Sequence, residues 1–211
     1  MKVCCISDIH GNLPEIPECD VLLIAGDIVP TNRHNVHLSS EWMQTYLKPW
    51  IDDLSQRMKI FVVSGNHDFI FERAKEMVPN LNWEYLEDSG SKFQGLNIWG
   101  SPWQPIFFNW AFNASEEKLA QKWQLIPEDT DILLLHGPPH GYGDFSSFGN
   151  EHTGSVSLLN RIIEIKPKLV VSGHIHSGHG IYKIGENTVF VNAAYVNESY
   201  QPSNNPIVLE I

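Results

Sequence analysis

Short, wholly apolar runs alternate along this chain with longer amphipathic stretches. Val3 to Ile6, Val21 to Ala25, Ile60 to Val63, Ile132 to Leu135, Leu169 to Val171 and Val189 to Val191 are rich in β-branched residues and lack strict in–out alternation. Runs of that length and texture are expected of strands covered on both faces. Ile207 to Leu209 is a candidate closing strand.

Between the runs lie helical patterns. Ser115 precedes Glu116 and Glu117, an N-cap hydroxyl followed by acidic residues that complement the helix dipole, and the helix should reach about Gln124. Ser155 to Ile165 places Val156, Leu159, Ile162 and Ile163 on one face before Pro167 stops it. The stretch Glu41 to Met58 is helical in pattern, with Pro49 expected to kink or split it. A further helix is expected over Phe69 to Met77. Strands alternating with helices predict an α/β layered fold, read as one domain over residues 1–211.

The residues immediately after each strand carry the chemistry. The first run leads into Asp8-Ile9-His10, the second into Gly26-Asp27, the third into Gly65-Asn66-His67-Asp68, the fourth into His136-Gly137 and the fifth into Gly173-His174-Ile175-His176. In an open α/β sheet the C-terminal strand ends share one crevice, where ligands bind. Five strand ends therefore aim carboxylates, an amide and imidazoles at one place. Asp8, His10, Asp27, Asn66, His136, His174 and His176 form a nitrogen and oxygen ligand set without sulfur, suited to Mn, Fe, Zn or Mg. A two-metal site needs a bridging ligand, and the two oxygens of Asp27 make it the candidate.

Composition narrows the partners. The net charge is −11, from 25 acidic and 14 basic residues, which opposes loose binding to nucleic acid or an anionic membrane. A phosphate-bearing substrate, such as a small phosphoester or nucleotide, would therefore need a local positive source, which bound metal can supply. Cys4, Cys5 and Cys19 do not read as a disulfide framework. Lys2 is followed by only four apolar residues before Ser7, too short for a signal-peptide core, and the expected compartment is the cytoplasm.

The ordered blocks Asp8-x-His10, Gly26-Asp27, Gly65-Asn66-His67-Asp68, His136 and Gly173-His174-x-His176 resemble the calcineurin-like metallophosphoesterase superfamily. Gly100 to Trp103, Lys122 to Glu128, His136 to Pro139, Pro167 to Leu169 and Gln201 to Pro206 are similar to segments of its MPPED-like metallophosphodiesterase subfamily, so the likeness covers nearly the whole chain. The resemblance implies a four-layer α-β-β-α sandwich and hydrolysis of phosphodiesters, cyclic nucleotides among them. It implies two divalent or mixed-valence ions, manganese first, with iron or zinc as alternatives. One ion would take Asp8, His10, Asp27 and His176, and the other Asp27, Asn66, His136 and His174. A hydroxide bridging the ions would attack phosphorus in line, and His67 would serve the leaving oxygen as the catalytic acid.

Several residues keep two readings. Asp68 either orients His67 or caps the following helix. The aromatic stretch Trp99 to Phe112 either packs as a lid or homodimer contact, or walls a nucleobase. His140, Tyr142 and Asp144 either face substrate or belong to a mobile loop, and His179 either supports a ligand or lies on the surface. His34, His37 and His152 receive no role. The rival functions are a phosphomonoesterase, a nucleotide pyrophosphohydrolase or nuclease on the same site, and a partner-binding scaffold. A protein phosphatase would continue Gly-Asp into Asp-Arg-Gly, whereas Asp27 is followed by Ile28-Val29-Pro30.

Overall fold

The apolar runs pair side by side, but in two sheets. The computed structural model describes residues 1–31 and 34–211. Eleven strands make up the two main sheets: β1 Lys2–Ile6, β2 Val21–Ala25, β3 Lys59–Val63, β4 Glu84–Tyr85, β5 Ser89–Phe93, β6 Leu96–Ser101, β7 Ile132–Leu135, β8 Leu169–Ser172, β9 Gly180–Ile184, β10 Thr188–Asn192 and β11 Ile207–Glu210. The first sheet runs β11-β1-β2-β3-β4 and the second β9-β10-β8-β7-β6-β5. Within them β1-β2-β3-β4 and β6-β7-β8-β10 are parallel, while β11, β9 and β5 close edges in antiparallel fashion.

Side-chain alternation along buried strands sorts the chain into three apolar cores. Val3, Cys5, Leu23 and Phe61 point from the first sheet toward Ile132, Leu134, Val171 and Val191 of the second, filling the space between the sheets. Cys4, Ile6, Leu22, Ile24 and Val62 point the other way, onto a layer formed by α1 Val36–Trp42, α2 Lys48–Leu54 and α3 Phe69–Arg73. On the far face Leu133, Leu135, Val170 and Phe190 meet Leu119 and Trp123 of α4 Glu116–Trp123, and Leu158 and Ile162 of α5 Val156–Ile165. Helix, sheet, sheet, helix is the four-layer sandwich that the resemblance implied. Trp123 is 1% exposed and donates its indole N–H to Ser155 Oγ at 3.1 Å. Truncating it to alanine would cost about 3–5 kcal/mol.

The helices differ from expectation in three places. α1 starts upstream of Glu41 because Asn35 caps it, its Oδ1 accepting from the His37 and Leu38 backbone N–H groups at 3.0 and 3.2 Å. Pro49 interrupts the helix ahead of itself rather than at its own position. It sits in the first turn of α2, and a π-turn over Met43–Leu47 carries the chain there, with the Lys48 N–H donating to the Met43 carbonyl. The wider turn absorbs a residue that lacks an N–H and would crowd the carbonyl four residues back. Over Phe69 to Met77 the helix stops at Arg73, Ala74 leaves helical geometry, and a 3-10 turn over Lys75–Met77 follows. Strands β5, β6 and β9 had no apolar run to announce them; Ser89-Gly90-Ser91-Lys92-Phe93 lies at an edge and is only half-buried.

Candidate metal centre

The crevice is fed by both sheets. Asp8 and His10 follow β1, Asp27 follows β2, and Asn66 and His67 follow β3; across the interface His136 follows β7, and His174 and His176 follow β8. A short bridge, Ser7 to Ala194, ties the sheets together at this end. Asp8, His10, Asp27 and His174 all adopt positive φ, at 50°, 41°, 51° and 68°. Left-handed backbone is uncommon outside glycine, and its clustering at one place marks a site where local strain is held by the surrounding fold. Glycine is required where these turns crowd: a Cβ on Gly173 would collide with the Asp8 carboxylate, and one on Gly65 with that of Asp27.

Five of the predicted ligands fall into two tight groups. Ligand atoms of Asp8, His10 and His176 lie within 4.8 Å of one another, as do those of Asp8, Asp27 and His136. Asp27 Oδ2 stands 3.6 Å from His10 Nε2 and 3.5 Å from His136 Nε2, reaching toward both. Asn66 Oδ1 lies 2.8 Å from His136 Nε2. His174 is outside both tight groups; its backbone N–H donates to Asp8 Oδ2 at 2.9 Å and its ring stands edge-on to His136 at 5.1 Å.

The donor set can be tested for fit to a cation. His136 Nδ1–H donates to the Ala25 carbonyl at 2.8 Å, which fixes the Nε2 lone pair toward Asn66 Oδ1 and Asp27 Oδ2. His176 Nδ1–H donates to the Asn197 carbonyl at 2.9 Å, turning its Nε2 to Asp8 Oδ1 at 3.3 Å. Lone pairs thus face lone pairs. Among the described residues, the buried side-chain atoms without a hydrogen-bond partner include Asp8 Oδ1, both ring nitrogens of His10 and Asn66 Nδ2. Unsatisfied buried polar atoms are costly, and a divalent cation would satisfy Asp8 Oδ1 and the lone-pair nitrogen of His10. The residues fit metal.

Protonation agrees. Burial depresses His10 and His136, and burial with the neighbouring His136 brings His174 down to about 3. These imidazoles are therefore neutral at physiological pH, the form in which imidazole binds metal. Burial pushes the Asp8 carboxyl up, but His176, with His136 and His10 beyond it, brings it below the ordinary carboxylate range. Burial also opposes charge on His176, yet Asp8 raises it above its usual value. Asp8 thus draws positive charge to this place, which a proton or a cation can supply. Asp27 is pushed up by burial and by the charges of Asp8 and Asp68.

Around this floor is a cleft of about 690 Å³ lined by Asp27, Asn66, His67, His174 and His176 below and by Ile106, Phe107, Phe108, Trp110 and Phe148 on its wall. The aromatic stretch therefore divides. Trp99, Trp103 and Phe112 pack into the cores, and the Trp103 indole donates to Asp88, while Phe107, Phe108 and Trp110 turn to the cleft. His67 is 6% exposed, and burial with the nearby His34 lowers it to about 3. Its backbone N–H donates to Asp27 Oδ1 at 2.8 Å.

Neither reading of Asp68 describes its contacts. Its side chain caps no helix and accepts instead from the Ile28, Val29 and Gly65 backbone N–H groups at 2.9, 3.0 and 2.8 Å. Asp144 is fully buried and accepts from Gly141 N–H, Gly154 N–H and His152 Nδ1, organising its loop from within. His140 and Tyr142 do not line the cleft, and His179 rests on the Asn205 carbonyl. Four residues without an assigned role come to the site. His34 Nε2 lies 2.9 Å from His67 Nδ1. The Tyr200 ring covers His10 and His176 at 4.8 and 5.5 Å, and His152 and Glu198 line the cleft. All four sit in short polar stretches where sequence offers no periodicity to read.

A βαβ-rich sandwich with a histidine and carboxylate centre at the strand ends defines a metal-dependent phosphoesterase. The chain belongs to the calcineurin-like phosphoesterase family, whose model matches residues 1–178. It is 36% identical to human "Metallophosphoesterase domain-containing protein 1", covering 98% of this chain and 70% of that protein. It is 28% identical to "Uncharacterized protein MJ1162" of Methanocaldococcus jannaschii, covering all of this chain and 96% of that one. The solved structure of TT1561 of Thermus thermophilus shares the fold at a TM-score of 0.59 and 15% identity, over 90% of this chain and 88% of its own. Membership carries a dinuclear divalent-metal centre and hydrolysis of phosphoesters. No helix among the described residues is long and apolar enough to cross a membrane.

Proposed function

We propose that this protein hydrolyses phosphodiesters, cyclic nucleotides among them, at a two-metal centre. The observation that carries this reading is the convergence of Asp8, Asp27, His136 and His176 lone pairs at the floor of an aromatic-walled cleft. Asp8, His10, Asp27 and His176 would hold one ion, and Asp27, Asn66, His136 and His174 the other. Manganese is the first choice, with iron or zinc behind it. Ions held there supply Lewis acidity to the phosphoryl group and a water acidic enough to serve as nucleophile near neutral pH.

The protein's own groups do the rest. His67, neutral through burial, donates a hydrogen bond from its ring N–H to the departing oxygen, which takes its proton from solvent; one such donor typically contributes about 10²–10³-fold. Tyr200 covers three of the histidines from above, and Phe107, Phe108, Trp110 and Phe148 receive a flat group such as a base. A diester carries one negative charge where a monoester carries up to two. Glu151 and Glu198 on the cleft lining disfavour the second. The free, buried thiols of Cys4, Cys5 and Cys19 fit a reducing cytoplasm.

The test is a panel of p-nitrophenyl monoesters, linear diesters and cyclic nucleotides, with Mn, Fe, Zn and Mg supplied separately. Diesters should exceed monoesters in kcat/KM, and a chelator should abolish turnover. A monoester preference, or turnover indifferent to chelation, would falsify the reading.

A further inference from the structure

The nitrogen of His67 that faces away from the chemistry is engaged by a residue that no motif predicts. His34 Nε2 lies 2.9 Å from His67 Nδ1, with the two rings 5.0 Å apart. His34 is itself held from two sides. Its ring lies over Phe69 at 4.3 Å, and the next residue, Asn35, anchors the start of α1. Its backbone is left-handed, with φ 56°, a conformation that histidine tolerates better than bulkier residues do. The carboxylate that sequence reasoning offered for the task, Asp68, has both oxygens committed to backbone N–H groups.

We propose that His34 is the positioning residue for His67: it donates its Nε2–H to His67 Nδ1 and so fixes the Nε2–H tautomer toward the leaving oxygen. The inference rests on the proposed hydrolysis with His67 as the donor to the leaving oxygen. Which imidazole nitrogen carries the proton is set by the bond the other nitrogen makes, so a neutral donor at Nδ1 leaves the hydrogen of His67 on Nε2, where it can hydrogen-bond that oxygen. In that arrangement each ring keeps one hydrogen, that of His34 lying between the two rings and that of His67 facing the leaving oxygen. The Trp110 ring, 4.4 Å from His67, limits how far it can swing.

A merely structural His34 would affect all substrates alike, whereas a positioning one matters most when the leaving oxygen builds up a strongly basic charge. Diesters with an alkyl leaving group depend on the His67 donor; those releasing p-nitrophenolate hardly do. His34→Ala should slow the alkyl diester about 10- to 100-fold and the nitrophenyl diester less than about threefold, with metal content unchanged. His34→Gln, whose amide nitrogen can occupy the place of Nε2, should restore the alkyl rate to within about threefold of the parent. Independently of turnover, two-bond ¹⁵N–¹H correlation spectra of the metal-free chain should show His67 as a single Nε2–H tautomer, becoming mixed in His34→Ala. Equal losses on both leaving groups, a glutamine variant as slow as alanine, or an unchanged His67 tautomer would overturn the proposal. If His67→Ala itself leaves the alkyl rate intact, the donor role of His67 fails and this inference with it. If His67→Ala is slow and His34→Ala is not, only the positioning role is lost.

Discussion

Asp8, Asp27 and His136 at the floor of the cleft are sealed from solvent, whereas Phe108 and Phe148 on its wall are 64% and 81% exposed. Each floor residue is fastened by main chain: Asp8 by His174 N–H, Asp27 by His67 N–H and His136 by the Ala25 carbonyl. The wall residues touch chiefly one another, with Phe107 4.4 Å from Phe108 and 5.9 Å from Phe148. The floor sits on parallel strands covered on both faces, and the wall on loops between short elements. Rigid scaffolding under the reacting groups and a yielding surface around the rest of the substrate divide the work between chemistry and choice. Substitutions should separate the two regions cleanly.

The largest effect is expected from Asp27→Ala. It removes the side chain reaching toward both ligand groups, and turnover should fall by about 10³-fold or more together with bound metal, read by elemental analysis. A variant that kept two ions would break the assignment of Asp27 as the shared ligand. Within the floor, His67→Ala and His136→Ala should part company. The first should keep both ions and lose about 10²–10³-fold in kcat, and the second should lose metal. On the wall, paired replacement of Phe108 and Phe148 by alanine should raise KM for a nucleotide diester about tenfold with kcat little changed, since a base–aromatic stack contributes about 1–3 kcal/mol. A small alkyl diester should not notice. Equal losses for both substrates would mean the wall supports the floor.

The smallest expected effect concerns pH. His176 is raised above its ordinary value through its pairing with Asp8. Below that raised pKa the ring carries a proton that an incoming ion must displace, and above it the nitrogen is free. Metal affinity should therefore fall as pH drops through the raised pKa, by no more than about tenfold per pH unit for this one group. Calorimetric titration with Mn in buffers of different ionisation enthalpy would count the proton released, and zero protons near pH 6 would contradict the pairing.

The floor was legible in sequence because two signals coincide there. Buried parallel strands announce themselves as unbroken apolar runs, and an Asp, Asn or His beside glycine at each C-terminal end can only enter the crevice. Asp8, Asp27, Asn66 and His136 were readable on those grounds. The second sheet's partial disguise is physical as well: Ser89 to Phe93 and Gly180 to Ile184 are edge strands with one face in water, so no apolar run marks them. His34 and Tyr200 reach the site only through the path of their loops, which pattern does not encode. Asp68 misled for a different reason. A carboxylate before a helix looks like a cap, and only the fold shows that one of its oxygens accepts from Ile28, 40 residues away in sequence, and the other from Gly65 just upstream.

That same Asp68 fastens the turn after β2 to the turn after β3, through Ile28 and Val29 on one side and Gly65 on the other. Two stretches of chain that would otherwise breathe separately are riveted into a single bracket. The bracket bears Asp27 and Asn66 together, so their spacing is inherited from one joint rather than negotiated between two loose ends. Loosening either turn must spoil its neighbour, which makes the nest for the ions something the chain assembles whole or not at all.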